Sequence, residues 1–243
     1  MFWLVLLKLK AFTKTINTKG VIMDLEILEE KVYYYTNVIE DPAKLVEAIE
    51  KDNADEWGEW ATCSGQHYVY GTDKTISPSE GENAKNDYIY KTLQKAFDDV
   101  ARDYAKAQGI TDEPKLFPMY PIKKYQAGTF MGAHFDQQEG DDRLKVSFVM
   151  YLNDDYEGGE ISFTIKSPDA PISYGGKPFD GPISSGGPNP DMEIAKNDPN
   201  SFTFFVKPKA GSVIVFPPSP PYHHTAHLVK SGYKYMVPQH WIH

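Results

Sequence analysis

Ile89, Leu93, Phe97, Val100 and Tyr104 recur at steps of four, four, three and four residues, the spacing of one helical face. They predict a long helix over about 83–108. Gly109 is placed to end it, because glycine enters the left-handed C-cap conformation without strain. A shorter helix is predicted from Asp41, with Asp41 as N-cap, Pro42 at the first helical position and Leu45, Val46 and Ile49 on the apolar side. Beyond residue 114 the period falls to two. Strands are predicted at 115–125, 128–135, 144–153, 159–165, 201–207, 212–216 and 232–241. A Gly/Pro-rich insert occupies 167–200, and 57–82 reads as loop with short extended pieces carrying Trp57, Trp60, Cys63, His67, Tyr68 and Tyr70. There is no internal repeat and no heptad pattern. The fold class is α+β: helices first, then a β-rich remainder suited to a sandwich or barrel.

The one strongly apolar run near the start, residues 2–7, is cut short by Lys8 and Lys10. Six residues cannot span a bilayer, which needs about 20, and basic charge follows the run where a signal peptide would have it precede. Residues 1–22 are therefore expected to be an N-terminal extension, with the folded unit beginning near Met23. Composition narrows the partners. Lys and Arg number 25 against 34 Asp and Glu, a net charge of −9, which argues against a general nucleic-acid binder. The lone Cys63 can form neither an internal disulfide nor a cysteine-based zinc site. A reducing, cytoplasmic compartment is the expectation. Aromatic residues make up 14% of the chain, with 16 Tyr, beside 18 Gly and 18 Pro, a mix that suits short strands and many turns.

His134 and Asp136 form a His-x-acid pair. Seven His facing 34 acids in 243 residues produce about one such pair by chance, so its context must carry the argument. Residues i and i+2 of a strand point to the same side, and two His with one carboxylate make the facial ligand set of non-haem Fe(II) oxygenases. A third ligand must come from elsewhere, and His223, His224 and His227 are the candidates. Gly232 and Lys234 lie eight and ten residues after His224, whereas Lys234 lies eleven after His223 and seven after His227.

At this point the chain resembles the Fe(II)/2-oxoglutarate-dependent dioxygenases, specifically the prolyl 4-hydroxylase catalytic-domain type, whose distal His is followed by Gly at eight and Lys at ten. The resemblance spans roughly 115–242. Tyr125 and Gly128 precede the metal pair in the family's Tyr-x-x-Gly manner. The strand from Ser147 through Tyr151 and Asn153 ends in the Gly158 and Gly159 pair, and Lys209, Gly211 and 212–216 resemble the strand leading to the distal His. Gly232 to Trp241 resembles the closing strand. The resemblance implies a double-stranded β-helix (jelly-roll) core at 115–243, flanked by N-terminal helices and supported by a helical and loop region at 23–114. It implies His134, Asp136 and His224 as iron ligands and Lys234 as the ion-pair partner of the 2-oxoglutarate C5 carboxylate. Tyr125 and Tyr151 become candidates to hydrogen-bond that co-substrate. The implied cofactors are Fe(II), 2-oxoglutarate and O2, with ascorbate. The remaining histidines read as exposed or outer residues. Halogenating relatives lack the carboxylate ligand, so Asp136 favours hydroxylation.

The expected substrate is a proline-containing peptide or protein, since aromatic loops suit an extended polyproline chain, with a free amino acid or small metabolite as the alternative. A cupin-like metal enzyme would need neither Lys234 nor the Gly-Gly strand. A non-catalytic binding module would turn over no 2-oxoglutarate. A nucleic-acid demethylase of the same superfamily is disfavoured by acidic charge and by Lys rather than Arg near the C-terminus.

Overall fold

Phe148 and Met150 point to one side of their strand while Val149 and Tyr151 point to the other, and all four are buried. A strand apolar on both faces belongs in the middle of a sheet covered on both sides. The computed structural model of the chain describes residues 11–16, 22–53, 57, 59–61, 68–70, 74–76, 87–118, 120–137, 142–164, 173–174, 177–178 and 204–243. Their elements run β1 (Ala11–Ile16), β2 (Ile22–Glu29), β3 (Val32–Thr36), α1 (Pro42–Asn53), β4 (Glu59–Ala61), β5 (Tyr68–Tyr70), β6 (Lys74–Ile76) and α2 (Asp87–Gln108). Then come β7 (Tyr120–Gln126), β8 (Met131–His134), β9 (Leu144–Tyr151), β10 (Glu157–Gly158), β11 (Ile161–Thr164), β12 (Ser173–Tyr174) and β13 (Lys177–Pro178). The chain closes with β14 (Phe204–Val206), β15 (Ser212–Phe216), β16 (His223–Ala226), β17 (Val229–Ser231) and β18 (Tyr233–Ile242).

An eight-stranded sheet of order β1-β2-β3-β15-β9-β18-β7-β6 faces a four-stranded sheet of order β14-β11-β16-β8. Ile161 and Phe163 of the small sheet meet Val149, Tyr151, Ile214, Phe216 and Met236 of the large one in a single apolar cluster. The reverse face of the large sheet carries Phe148, Met150, Val213, Val215 and Val237, and it packs on Leu45 and Ile49 of α1 and Leu93, Phe97 and Val100 of α2. Two antiparallel sheets enclosing one core, with helices on the outer face, are the jelly-roll arrangement with helical flanks.

Both helices end as their residues dictate. The Lys44 N–H donates to Asp41 Oδ1 at 3.0 Å, which satisfies an open donor of the first turn of α1. At the end of α2, Gly109 takes φ +66°, its N–H donates to the Lys106 carbonyl, and the Ile110 N–H donates to the Ala105 carbonyl. This is a Schellman cap.

The order of elements departs from the sequence expectation. Three strands precede α1, so the chain does not begin with helices. In β2, Met23 and Leu25 are buried and alternate with Asp24 and Glu26. In β3, Tyr33 and Tyr35 face the helices while Val32 and Tyr34 face the inter-sheet core. The expected extension at 1–22 contributes Ala11–Ile16, paired antiparallel with β2 at the edge of the large sheet. Residues 83–86 and Cys63 lie outside the described residues. So does most of the 167–200 insert, within which β12 pairs with β13.

Candidate active site

β8 and β16 bring two histidines into register. His134 ends β8 and is the direct cross-strand partner of His224, with ring centroids 4.2 Å apart. The predicted strand through residue 135 stops at His134, and Asp136 follows in a bend. It still reaches the same side: Asp136 Oδ1 lies 3.7 Å from Nε2 of His134 and 3.7 Å from Nε2 of His224. One donor atom from each of the three falls within 4.8 Å of the others. His224 Nδ1 lies 3.3 Å from the Tyr222 carbonyl, the contact that keeps its proton on Nδ1 and leaves Nε2 as the ligand atom. Burial, reinforced by the neighbouring His134, pushes the His224 pKa down to about 3, so its imidazole is neutral. For Asp136, burial opposes ionisation, but His224, His240, His134 and the Ser147 hydroxyl outweigh it and hold the carboxyl below its ordinary value. A neutral His224 imidazole beside an ionised Asp136 carboxylate is the pairing of protonation states that a divalent cation requires.

These three side chains line a cavity of about 360 Å³ whose other end is Lys234. Its floor is a grid of strand positions. Lys234 of β18 stands opposite Tyr125 of β7. On the next inward-facing row Met236 lies between Tyr151 of β9 and Lys123 of β7. Pro238 then pairs with Val149 and His240 with Ser147. Because strand side chains alternate, these residues face the cavity while their odd-numbered neighbours on β18 face the helices.

Lys234 is fully buried, at 0% exposure. Its ammonium donates to the Gly159 carbonyl at 3.0 Å and lies 4.9 Å from the centre of the Tyr125 ring and 5.5 Å from that of Tyr151. Burial, then the positive charge of Lys207, push its pKa down to about 7 against the pull of Glu160. Among the described residues no carboxylate lies within ion-pair distance of it, and neither the Tyr125 nor the Tyr151 hydroxyl has a protein hydrogen-bond partner. Burial raises the pKa of both phenols, so both remain donors. A buried ammonium with two uncommitted hydroxyls beside it suits a carboxylate guest. The cavity thus joins a site for a divalent cation to a site for an anion, the two requirements of a metal-chelating dicarboxylate.

The glycines around Lys234 answer to close approach. Gly158 and Gly159 take φ +71° and +65°, and a Cβ on Gly159 would lie 2.7 Å from the Tyr156 ring and 3.2 Å from Lys234 Cδ. Gly232, at φ +80°, passes 3.2 Å from the Asp155 carbonyl oxygen by the same measure.

The six residues expected from the sequence therefore converge on one cavity. The spare histidines stay outside the three-residue cluster, as outer residues rather than exposed ones. His227 is buried, with Nε2 2.7 Å from the Ser162 hydroxyl, and His223 is half-buried with its ring packed on Phe135, so neither is exposed. Sequence reasoning missed His240 and Ser147, which stand 3.3 Å apart beside Asp136. It also missed Lys123 on the cavity floor. No spacing links these positions to His134, and only strand register brings them together.

The sequence comparisons agree with this geometry. Residues 120–243 match the model of the 2OG-Fe(II) oxygenase superfamily. No curated protein matches the chain. Among solved structures, the fold is similar to a Pseudomonas putida prolyl-4-hydroxylase, at 16% identity and TM-score 0.50, over 96% of this chain and 93% of that one. A viral collagen prolyl hydroxylase from Paramecium Bursaria Chlorella virus-1 matches at 16% identity and TM-score 0.51, over 88% and 90% of the two chains. A Trichoplax adhaerens prolyl hydroxylase in complex with a hypoxia inducible factor peptide fragment matches at 9% identity and TM-score 0.50, over 96% and 84%. With a family match over half its length, the chain belongs to the 2OG-Fe(II) oxygenase superfamily. It is an oxidoreductase whose cofactor is Fe(II) and whose co-substrates are 2-oxoglutarate and O2. No helix among the described residues is long and apolar enough to cross a membrane.

Proposed function

We propose that this protein hydroxylates an unactivated C–H bond, with a prolyl residue in a peptide or protein as the leading target. The observation that carries the reading is the sharing of one cavity by the His134, Asp136 and His224 cluster and the buried Lys234 ammonium. His134, Asp136 and His224 hold the iron. Lys234 pairs with the distal carboxylate of 2-oxoglutarate, and Tyr125 and Tyr151 donate hydrogen bonds to the co-substrate. When bound, iron with 2-oxoglutarate and O2 supplies the oxidising power, yielding succinate, CO2 and the hydroxylated product. The chain's own work is to bind, orient and keep water out. The Tyr222 carbonyl fixes the His224 tautomer, Asp136 would supply the carboxylate ligand that favours hydroxylation over halogenation, and Val149, Ile161 and Met236 form an apolar wall. Strengthening of charge-assisted contacts by such a wall is general.

The peptide target is supported by the similar folds, which include enzymes named as prolyl-4-hydroxylase and collagen prolyl hydroxylase and one solved with a peptide. A free amino acid or small metabolite is the second reading. It is favoured by a cavity of about 360 Å³, at the small end of ligand sites. Turnover with proline-rich peptides and, separately, with free amino acids, each with and without ascorbate, tests the choice. Succinate release coupled to a gain of one oxygen on a peptide proline is the expected result. Oxygen found on a free amino acid alone would leave the chemistry standing and remove the peptide reading.

A further inference from the structure

Lys207 follows β14 directly and carries no role in the chemistry above. Its ammonium donates to the Tyr156 carbonyl at 2.9 Å and to the Gly158 carbonyl, and it stands 3.7 Å from the centre of the Tyr156 ring. These contacts grip the turn at 156–159 from one side. From the other side the Gly159 N–H donates to the Leu228 carbonyl at 2.8 Å. The next carbonyl of the turn, that of Gly159, is the acceptor of Lys234 Nζ. The Tyr156 ring under the Lys207 ammonium is also the group nearest to where a Gly159 Cβ would stand. One cation therefore fixes the backbone on which another cation rests.

We infer that Lys207 is a positioning residue for the co-substrate site, fastening the turn of Gly158 and Gly159 so that the Gly159 carbonyl aims the Lys234 ammonium into the cavity. The inference rests on the reading of Lys234 as the carboxylate anchor. Lys207 has a second effect through its charge, because it disfavours protonation of Lys234. The groups facing Lys234 are Lys207, Glu160 and the rings of Tyr125 and Tyr151. Glu160 acts in the opposite sense. Lys207 itself is depressed by burial, against the pull of Glu160, Asp154 and Glu157.

Removing Lys207 consequently has two separable results. Loss of the clamp weakens the hold on the dicarboxylate. Loss of the like charge lets Lys234 keep its proton to higher pH. The test is calorimetric titration of 2-oxoglutarate into full-length protein loaded with Mn(II), across a pH series, for wild type and for Lys207→Met, Lys207→Arg and Lys234→Ala. The expected result for Lys207→Met is a dissociation constant raised about two- to tenfold at neutral pH, the range of one lost hydrogen bond, with the alkaline loss of affinity moved to higher pH. Lys207→Arg should restore both. An unchanged constant and profile in Lys207→Met would overturn the inference. So would weaker binding with an unmoved alkaline limb, which marks general damage to the turn. If Lys234→Ala itself binds 2-oxoglutarate as wild type does, the anchor reading fails rather than the positioning one. Should Lys207→Met not fold, judged by circular dichroism, Lys207→Gln keeps a donor without the charge and must still move the alkaline limb upward.

Discussion

His134 and His224 face each other across the β8–β16 ladder, and Asp136 Oδ1 stands 3.7 Å from the Nε2 of each. A cross-strand pair closed by a carboxylate from the following bend depends on all three members. His224→Ala should abolish stoichiometric Fe(II) binding, a loss larger than the roughly 10- to 100-fold that outer contacts cost, with the circular dichroism spectrum unchanged. His223→Ala should keep its iron. Metal content after anaerobic loading and desalting checks both variants, and the reverse pattern would move the ligand to His223.

Lys234→Ala should raise the 2-oxoglutarate requirement about ten- to hundredfold. A hydrogen bond to a charged group in a protected site contributes about 1.5–3 kcal/mol, which corresponds to that range. Steady-state kinetics with 2-oxoglutarate varied is the measurement. An unchanged KM would exclude Lys234 as the anchor.

The pH dependence follows from the same residue. In the free protein the Lys234 pKa is pushed down to about 7 from 10.5. A bound carboxylate favours the protonated form, so binding raises that pKa. Affinity for 2-oxoglutarate should be full below about pH 7 and fall as pH rises, by up to tenfold per unit. Folding shows the opposite trend, because the unfolded chain holds this proton up to its higher pKa. The Lys234 contribution to stability is complete above about pH 10.5 and is lost as pH falls through about 7. Calorimetric affinities and denaturation midpoints over that window test the two signs independently.

Gly159→Ala should damage the co-substrate site without touching a ligand. The φ of +65° costs a side chain about 1–2 kcal/mol, and the added Cβ meets the Tyr156 ring at 2.7 Å and Lys234 Cδ at 3.2 Å. Iron binding should survive while 2-oxoglutarate affinity falls. Equal loss of both would show that the turn supports the whole cavity.

A chain starting at Met23 should remain folded and active. Among the described residues, β1 pairs with β2 alone and no β1 residue lines the cavity. Loss of soluble protein would show that the edge strand protects β2 from association, as exposed edges often require.

The sequence was legible where its patterns are local. The α2 stripe from Ile89 to Tyr104 and the run Ser212–Phe216 appear where they were expected, because burial on a helix face or on both faces of a central strand imprints a simple period. The ten-residue step from His224 to Lys234 leads into one cavity because β17 and the Gly232 turn fix the path between them. β3 escaped notice since Val32, Tyr33, Tyr34 and Tyr35 are all buried and show no alternation. β16 carries His224, yet its short run His223–Ala226 has neither strong alternation nor β-branched enrichment. His240, Ser147 and Lys207 are tied to the site through cross-strand register and the packing of a distant turn, relations between segments that no linear spacing encodes.

β18 places Lys234, Met236, Pro238 and His240 in the cavity, while Tyr235, Val237 and Trp241 belong to the helix-facing core. A slip of one residue would exchange the two sets at once, exposing the cavity to aromatic bulk and thrusting a lysine against α1 and α2. Assembly and chemistry are therefore interlocked in one strand. A molecule that closes out of register loses Lys234 from the cavity, so on the reading of Lys234 as the anchor, faulty folding yields an inert protein rather than a half-built oxidant generator.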